Sequence, residues 1–345
     1  MTWYLNEAKA ASDSHRLQAL ARQGQLTKPP GSLGQLESLA VKLASLQYTD
    51  SPAINSLKIR VFAGDHGIAE TGVSAFPQSV TAQMIANFSA GGAAITVLAK
   101  SLNADFGVTN LGTVTELPEL PSVDDQTIAA GTANFLTQAA MTEAQCLQAL
   151  AIGAACVDEG DELWIGGEMG IANTTAATAL ACALLNLPAN TLTGPGTGLD
   201  TQGRQHKVAV IDQALAFHKP DEQSTWQNLQ NFGGFEIAAL VGAYISAAQK
   251  GVPILVDGFI CTVAARYAIH LNPSIKPWLL LSHHSAEPGH RALIDGFSYP
   301  PLLDLQLRLG EASGAALAVP LLQLACKLHN EMATFADAGV SDKPA

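Results

Sequence analysis

Glu168 stands where a carboxylate is not expected. The stretch WIGGEMGIANTTAATALACALL, residues 164–185, places glycines and small hydroxyl residues at a strand-to-helix turn, in the manner of a phosphate cradle. Glycines such as Gly170 let a ligand approach the backbone, and the N–H groups of a helix start favour anions. Asn173, Thr174 and Thr175 are equally ordinary helix-capping residues. The spacing is neither GxGxxG nor GxxxxGK[ST], so it supports neither a dinucleotide fingerprint nor a P-loop. The stretch therefore asks for a ligand that tolerates both an anion-binding backbone and a negative side chain.

Four other constellations can carry chemistry. GPGTGLD (194–200) is a glycine-rich loop able to wrap a small anion around Gly196, with Lys207 as a nearby cation; an ordinary surface loop fits the same residues. LSHHSAEPGH (281–290) offers Ser285 as a phosphate donor. Its histidines lack the i, i+4 pair of a zinc-binding helix, and Pro288-Gly289 forbids a regular helix, so no metal site is expected. AGDHGIAETGVSAFPQSVTAQM (63–84) places Asp65-His66 at a strand end, readable as an acid–base dyad, a metal pair or a polar strand terminus. Ser74, Phe76 and Gln83 follow it, a mix of flat apolar surface and hydrogen-bonding groups suited to a planar ring. In LRLGEASGAAL (307–317), Glu311 precedes a long uncharged segment. A carboxyl among small apolar residues is desolvated, which raises its pKa and suits a general base; a helix-start acid favoured by the macrodipole is the plainer alternative.

The elements that must hold these residues follow from pattern. IRVFAG (59–64), ADFGVTNLG (104–112), ELWIGG (162–167), PILVDGF (253–259) and WLLLSHH (278–284) read as strands. Helical segments lie between them: SVTAQMIANF, AAITVLAKSL, Thr142–Ala155, TTAATALACALL, FEIAALVGAYISAAQ and CTVAARYAIHL. Alternating strands and helices predict an α/β fold, a mainly parallel sheet with helices on both faces. The ligand crevice of such a sheet lies beyond the C-terminal strand ends. Residues 1–55 read as polar helices interrupted at Pro29-Pro30-Gly31, 56–305 as the large α/β domain, and 306–345 as helices broken by Pro320 that return to the N-terminal helices as a small second lobe. GTANFLTQAAMTEAQCL (131–147) reads as a solvated connection.

Composition limits the partners. The net charge is −12, and no basic run appears, which argues against nucleic acid. Charged residues make up 14%, against about 25% in ordinary domains, which fits a large core or a partly hidden surface. Five cysteines without CxxC spacing suggest reduced thiols. MTWYLNEAKAAS lacks the features of a signal peptide, and the apolar run Ala312–Cys326 is too short to span a bilayer, so a cytoplasmic protein without a membrane partner is expected.

Taken together, TKPPGSLG, FAGDHGIAETGVSAFP, GEMGIANTT, GPGTGLD, VDGF, SHHSAEPGH and RLGEASGAA resemble the nicotinate-nucleotide:dimethylbenzimidazole phosphoribosyltransferase family, in family order from about residue 27 to the C-terminus. One departure is Ala172, where the family usually has Gly; His284 falls at a variable position. The resemblance implies a homodimer with a Rossmann-like large domain and a small helical domain, needing no cofactor and no metal. It implies transfer of ribose 5-phosphate from nicotinate mononucleotide to 5,6-dimethylbenzimidazole, giving nicotinate and α-ribazole 5′-phosphate for the lower ligand of cobalamin.

By the same resemblance Glu311 is the base that takes the benzimidazole ring proton, and Glu168 faces the sugar and its developing positive charge. Gly170, Asn173, Thr174, Gly196, Lys207 and Ser285 become the phosphate set. Asp257 and Asp65 are placed on ribose hydroxyls or behind the loops. Ser74, Phe76, Gln83 and Met169 would hold the benzimidazole. Three other readings compete. A dehydrogenase lacks its GxGxxG. A metal-dependent hydrolase would use Asp65, His66, His283 and His290. A nucleotide-binding regulator would have no use for a base beside a ring pocket.

Overall fold

A computed structural model describes residues 2–196 and 198–341. Eight strands are present among them: β1 (Leu57–Gly64), β2 (Asp105–Gly112), β3 (Val123–Asp125), β4 (Leu163–Met169), β5 (Ile254–Val256), β6 (Leu279–Leu281), β7 (His283–Ser285) and β8 (Leu303–Leu307). The first six form one parallel sheet in the order β3-β2-β1-β4-β5-β6, and β7 pairs with β8 in a second, parallel pair. The strand order reverses between β1 and β4, and a doubly wound sheet opens its crevice at such a switch point.

Side chains alternate across this sheet, and each set meets a different helical layer. Phe62, Trp164, Ile254, Val256, Leu279 and Leu281 pack with the helices Glu143–Ala155, Asn173–Leu185, Phe235–Lys250 and Phe259–Leu271. Ile59, Val61, Leu163, Ile165, Leu255 and Leu280 pack with Gln35–Gln47, Ser79–Ser89, Ala94–Ser101 and Ser313–Glu331. Both faces are therefore covered, which explains why β5 and β6 are apolar throughout, while β1 carries Lys58 and Arg60 only near its start, where they pair with acids such as Asp105. The terminal helices are laced together: Arg22 donates to the carbonyls of His329 and Asn330, and Leu26 bridges to Thr334.

Four local expectations need correcting. Pro320 does not break its helix, which runs unbroken from Ser313 to Glu331. Pro320 sits on the exposed side, where losing one backbone N–H is least costly, and small Ala316 precedes it by one turn. Residues 131–147 are not merely solvated: Phe135 and Met141 are fully buried, and Phe135 meets Phe232 edge-on. The strand expected over 278–284 is two strands, because the chain leaves the main sheet after Leu281 and His283–Ser285 pairs with β8. That partner ends at Leu307, where a helical run was expected to begin, so the last long helix starts at Ser313 instead.

The stretch Ser79–Ser101 is long and apolar enough by composition to cross a membrane. A turn at residues 90–93 divides it into helices of 11 and 8 residues, each short of the roughly 20 that a span needs.

Candidate active site

A cleft of about 550 Å³ opens at the C-terminal end of the main sheet. Its walls come from the β4 end (Glu168–Ile171), the turn after β5 (Asp257–Cys261), β7 and its loop (His283, Ser285, Glu287) and the segment Gln306–Glu311. Asn173, Thr174, Gly196 and Phe76 complete it. Segments far apart in sequence thus converge on one rim, including Glu311, Glu168, Met169 and the anion-cradle residues.

Glu311 owes its position to an unusual backbone. Gly310, Glu311 and Ala312 all take left-handed φ values, 86°, 61° and 67°, immediately before the helix Ser313–Glu331. Two of these carry side chains, and such strain persists only where the surroundings enforce it. The segment turns the Glu311 carboxyl into the cleft while leaving it 6% exposed. Burial, reinforced by the Asp257 carboxylate, pushes Glu311 up to about 7. A carboxyl poised near neutrality accepts a proton readily at ordinary pH.

Glu168 lies behind it. A Cβ on Gly310 would come within 2.4 Å of Glu168 Oε1, so the approach of these two segments requires glycine. Asn173 Nδ2 donates to Glu168 Oε2. Burial, then the charges of Asp257, Glu236 and Glu311, hold Glu168 well above the usual carboxylate range. A cation beside this carboxyl would act in the opposite sense and favour its charged form. Asp257 is 1% exposed; its Oδ1 accepts the Ala315 N–H at 2.8 Å, and its Oδ2 has no hydrogen-bond partner among the described residues.

The anion end is built around the helix Asn173–Leu185. Its start carries no side-chain cap, because Asn173 is turned to Glu168 and the preceding residue is Ala172 at φ 75°. Glycine enters this conformation without strain, which gives Gly at this position a physical reason. Lys207 lies beneath, 1% exposed, with its ammonium donating to Thr174 Oγ1 at 2.7 Å. Burial lowers Lys207 to about 8, against the opposing pull of Glu287. Lys207 does not itself line the cleft; it acts through Thr174. Arg308 donates to the Gly196 carbonyl at 3.1 Å and lines the same end. Thr197, within the GPGTG loop, lies outside the described residues.

Ser285 is steadied by His290, whose Nδ1 accepts the Ser285 N–H at 3.0 Å while Nε2 meets Thr262 Oγ1 at 3.0 Å. Burial, then His283 and His284, lower His290 to about 3, so it is a neutral strut. Asp65 and His66 do not line the cleft. Asp65 accepts the Val114 N–H, and His66 is fully buried against Glu236 at 2.7 Å. The four residues of a hydrolase reading therefore do not come together, and among the described residues no trio of His, Cys, Asp or Glu has a metal-holding arrangement.

The acceptor set divides. Phe76 stands half exposed at the rim and Met169 lines the cleft. Gln83 is exposed and away from it, because Thr81, Ala82, Ile85 and Phe88 form the buried face of its helix. Ser74 does not line the cleft either; its Oγ accepts the Phe76 N–H at 3.3 Å and shapes the rim loop. Sequence reasoning gave no role to Arg308, Glu236 or Thr81, and weighed Glu287 only as a metal ligand with His283, His284 and His290. Glu236 left one signal, a lone acid opening the long apolar helix FEIAALVGAYISAAQ; Thr81 left none.

Comparison with known proteins places this geometry in context. A family model described as phosphoribosyltransferase (DBI_PRT) matches residues 8–340. The chain is 59% identical to the nicotinate-nucleotide--dimethylbenzimidazole phosphoribosyltransferase of Pseudomonas fluorescens strain SBW25, covering 100% of this chain and 99% of that one. It is 54% identical to the protein of that name from Pseudomonas aeruginosa strain UCBPP-PA14, over 100% and 99%. The crystal structure of CobT from Thermus thermophilus superposes with a TM-score of 0.91 at 41% identity, covering 96% of this chain and all of that one. With a match across nearly its whole length, relatives above half identity and a shared doubly wound sheet, the chain belongs to the DBI_PRT phosphoribosyltransferase family.

Proposed function

We propose that the cleft transfers ribose 5-phosphate from nicotinate mononucleotide to 5,6-dimethylbenzimidazole, releasing nicotinate and α-ribazole 5′-phosphate with inversion at C1′. The product serves as the lower-ligand nucleotide of cobalamin. The observation that carries this reading is Glu311, a buried carboxyl poised near neutrality and sharing a cleft with an anion cradle.

The phosphate rests at the start of the helix Asn173–Leu185, with Gly170, Thr174, Gly196 and Ser285 around it and Lys207 supplying charge through Thr174. Asp257, with one oxygen unpartnered, accepts a ribose hydroxyl. Glu168 faces C1′, where its carboxylate stabilises the pyridinium of the bound donor and then the oxocarbenium-like transition state. Asn173 holds that carboxyl in place. Phe76 and Met169 flank the benzimidazole; Ser74 acts through the Phe76 loop, and Gln83, on the outer face of its helix, reaches a ring only across a subunit boundary.

The chemistry needs one base and no strong acid. One benzimidazole nitrogen attacks C1′ as Glu311 takes the proton from the other, and nicotinate leaves as a neutral pyridine nitrogen. No metal or cofactor enters this scheme. Exposed apolar side chains such as Val97, Leu305 and Leu324 support a homodimer, which we place in the cytoplasm. The lacing of residues 13–47 to 313–334 supports a small helical unit from residues 1–55 and 306–345 beside the α/β unit 56–305. Incubation with nicotinate mononucleotide and a panel of bases, with products detected by mass, tests the reading. A benzimidazole ribotide is expected; hydrolysis to ribose 5-phosphate without it overturns the proposal.

A further inference from the structure

Thr81 is completely buried and forms no part of the cleft wall, yet it grips a residue that does. Its Oγ1 accepts the backbone N–H of Ile171 at 3.1 Å, in the middle of the anion-binding turn between Gly170 and Asn173. An oxygen that accepts there has its own proton left to give. The Asp65 carboxyl lies nearby; burial raises it above the usual carboxylate range, and the Thr81 hydroxyl offsets part of that rise. Asp65 is itself anchored, with Oδ2 accepting the Val114 N–H at 2.9 Å.

The same turn is supported from below by His66. A Cβ on Gly170 would lie 2.3 Å from the Gly64 carbonyl and 3.3 Å from the His66 ring. The helix that carries Thr81, Ser79–Ser89, is tied to the β1 end a second time, by Gln78 Nε2 donating to the His66 carbonyl at 3.0 Å. Packing limits how far the turn can sink, and Thr81 supplies a directional bond that fixes its orientation. The helix of Thr81 also follows the rim loop of Phe76, so one hydroxyl joins the donor side of the cleft to its acceptor side.

We infer that Thr81 is a positioning residue, which sets the turn Gly170–Asn173 in register for the phosphate of the donor. This rests on the transferase reading of the cleft.

Thr81→Val keeps the shape and removes the acceptor, leaving the Ile171 N–H buried and unpaired. The expected result is a rise of roughly tenfold in KM for nicotinate mononucleotide, with a smaller change in KM for the base, because a lost buried hydrogen bond loosens the turn. Hydrogen–deuterium exchange of the peptide around Ile171 should quicken by a similar factor, while distant helices keep their protection. Thr81→Ser, which retains the hydroxyl, should restore both. Unchanged KM and exchange in Thr81→Val overturn the inference, as does a Thr81→Ser variant as impaired as Thr81→Val, which assigns the effect to the methyl group. Should Thr81→Val fail to fold, Thr81→Ala, which also removes the acceptor, must accelerate exchange at the same peptide, and normal exchange there is equally fatal. Exchange reads the bond without substrate; a wild-type chain with no transferase turnover rejects the reading of the cleft and leaves this bond standing.

Discussion

At the scale of the residue, Glu311 is both the asset and the liability of the cleft. Its carboxyl rises from the usual 4.5 to about 7 on burial, so the folded chain binds that proton more tightly than the unfolded chain. Below pH 4.5 both states are protonated and the group costs nothing; as pH rises through 7 the folded state bears a growing penalty. Glu311→Gln should therefore stabilise the protein at pH 8 by on the order of 1–3 kcal/mol, with no gain at pH 4, in urea unfolding at the two pH values. An equal effect at both pH values contradicts the burial argument. The same carboxyl predicts an activity that climbs with pH through about 7, since only the ionised form takes the ring proton. Glu168→Gln should slow the chemical step more than it weakens mononucleotide binding, because its charge matters when the glycosidic bond opens. Single-turnover kinetics showing the reverse order would remove Glu168 from C1′.

At the scale of the element, the helix starts and breaks carry the testable detail. Ala172 sits at φ 75° with its methyl group buried. Ala172→Gly relieves about 1–2 kcal/mol of left-handed strain. It gives up about 0.8 kcal/mol of methyl burial and about 0.5–1 kcal/mol of unfolded-chain entropy. The terms nearly cancel, so unfolding should shift by less than about 1 kcal/mol; a loss beyond about 2 kcal/mol on this scale means the methyl group is a packing element. Pro320 is an exposed interruption inside a continuous helix, and Pro320→Ala should add about 1–3 kcal/mol of stability in the same measurement.

These positions also show what a sequence can convey. Buried parallel strands announce themselves as apolar runs, and β1, β2 and β4 fall where the runs predict. The switch from main sheet to side pair after Leu281 leaves no mark, because two short strands joined by Ser282 have the same composition as one longer strand. Glu311, Glu168 and the glycine turns drew notice by their isolated or glycine-rich settings, but each also fitted a plain cap or turn, and their roles came from the family resemblance. Lys207 was legible as a cation, though not its indirect action through Thr174. Gln83 was misplaced because its type suits a ring pocket while the phase of its helix turns it outward.

At the scale of the whole molecule, the parallel sheet collects ends of distant strands at one rim, and the covered faces make that rim the natural place for function. Several large apolar side chains remain on the surface, Val97 and Leu305 each more than half exposed. Sedimentation equilibrium should accordingly return twice the chain mass at micromolar concentration; a monomer throughout contradicts the homodimer and returns Gln83 to a purely surface role.

The central claim is that Glu311 takes the proton of the incoming base. Its most direct test is the single-turnover rate of ribotide formation from nicotinate mononucleotide and 5,6-dimethylbenzimidazole, for wild type and Glu311→Gln, from about pH 5 to 9. The account predicts a wild-type rate rising through an apparent value near 7 and a variant slower by about 10²–10⁴-fold with that rise abolished. A variant that runs at the wild-type rate, or keeps the same pH profile, contradicts it.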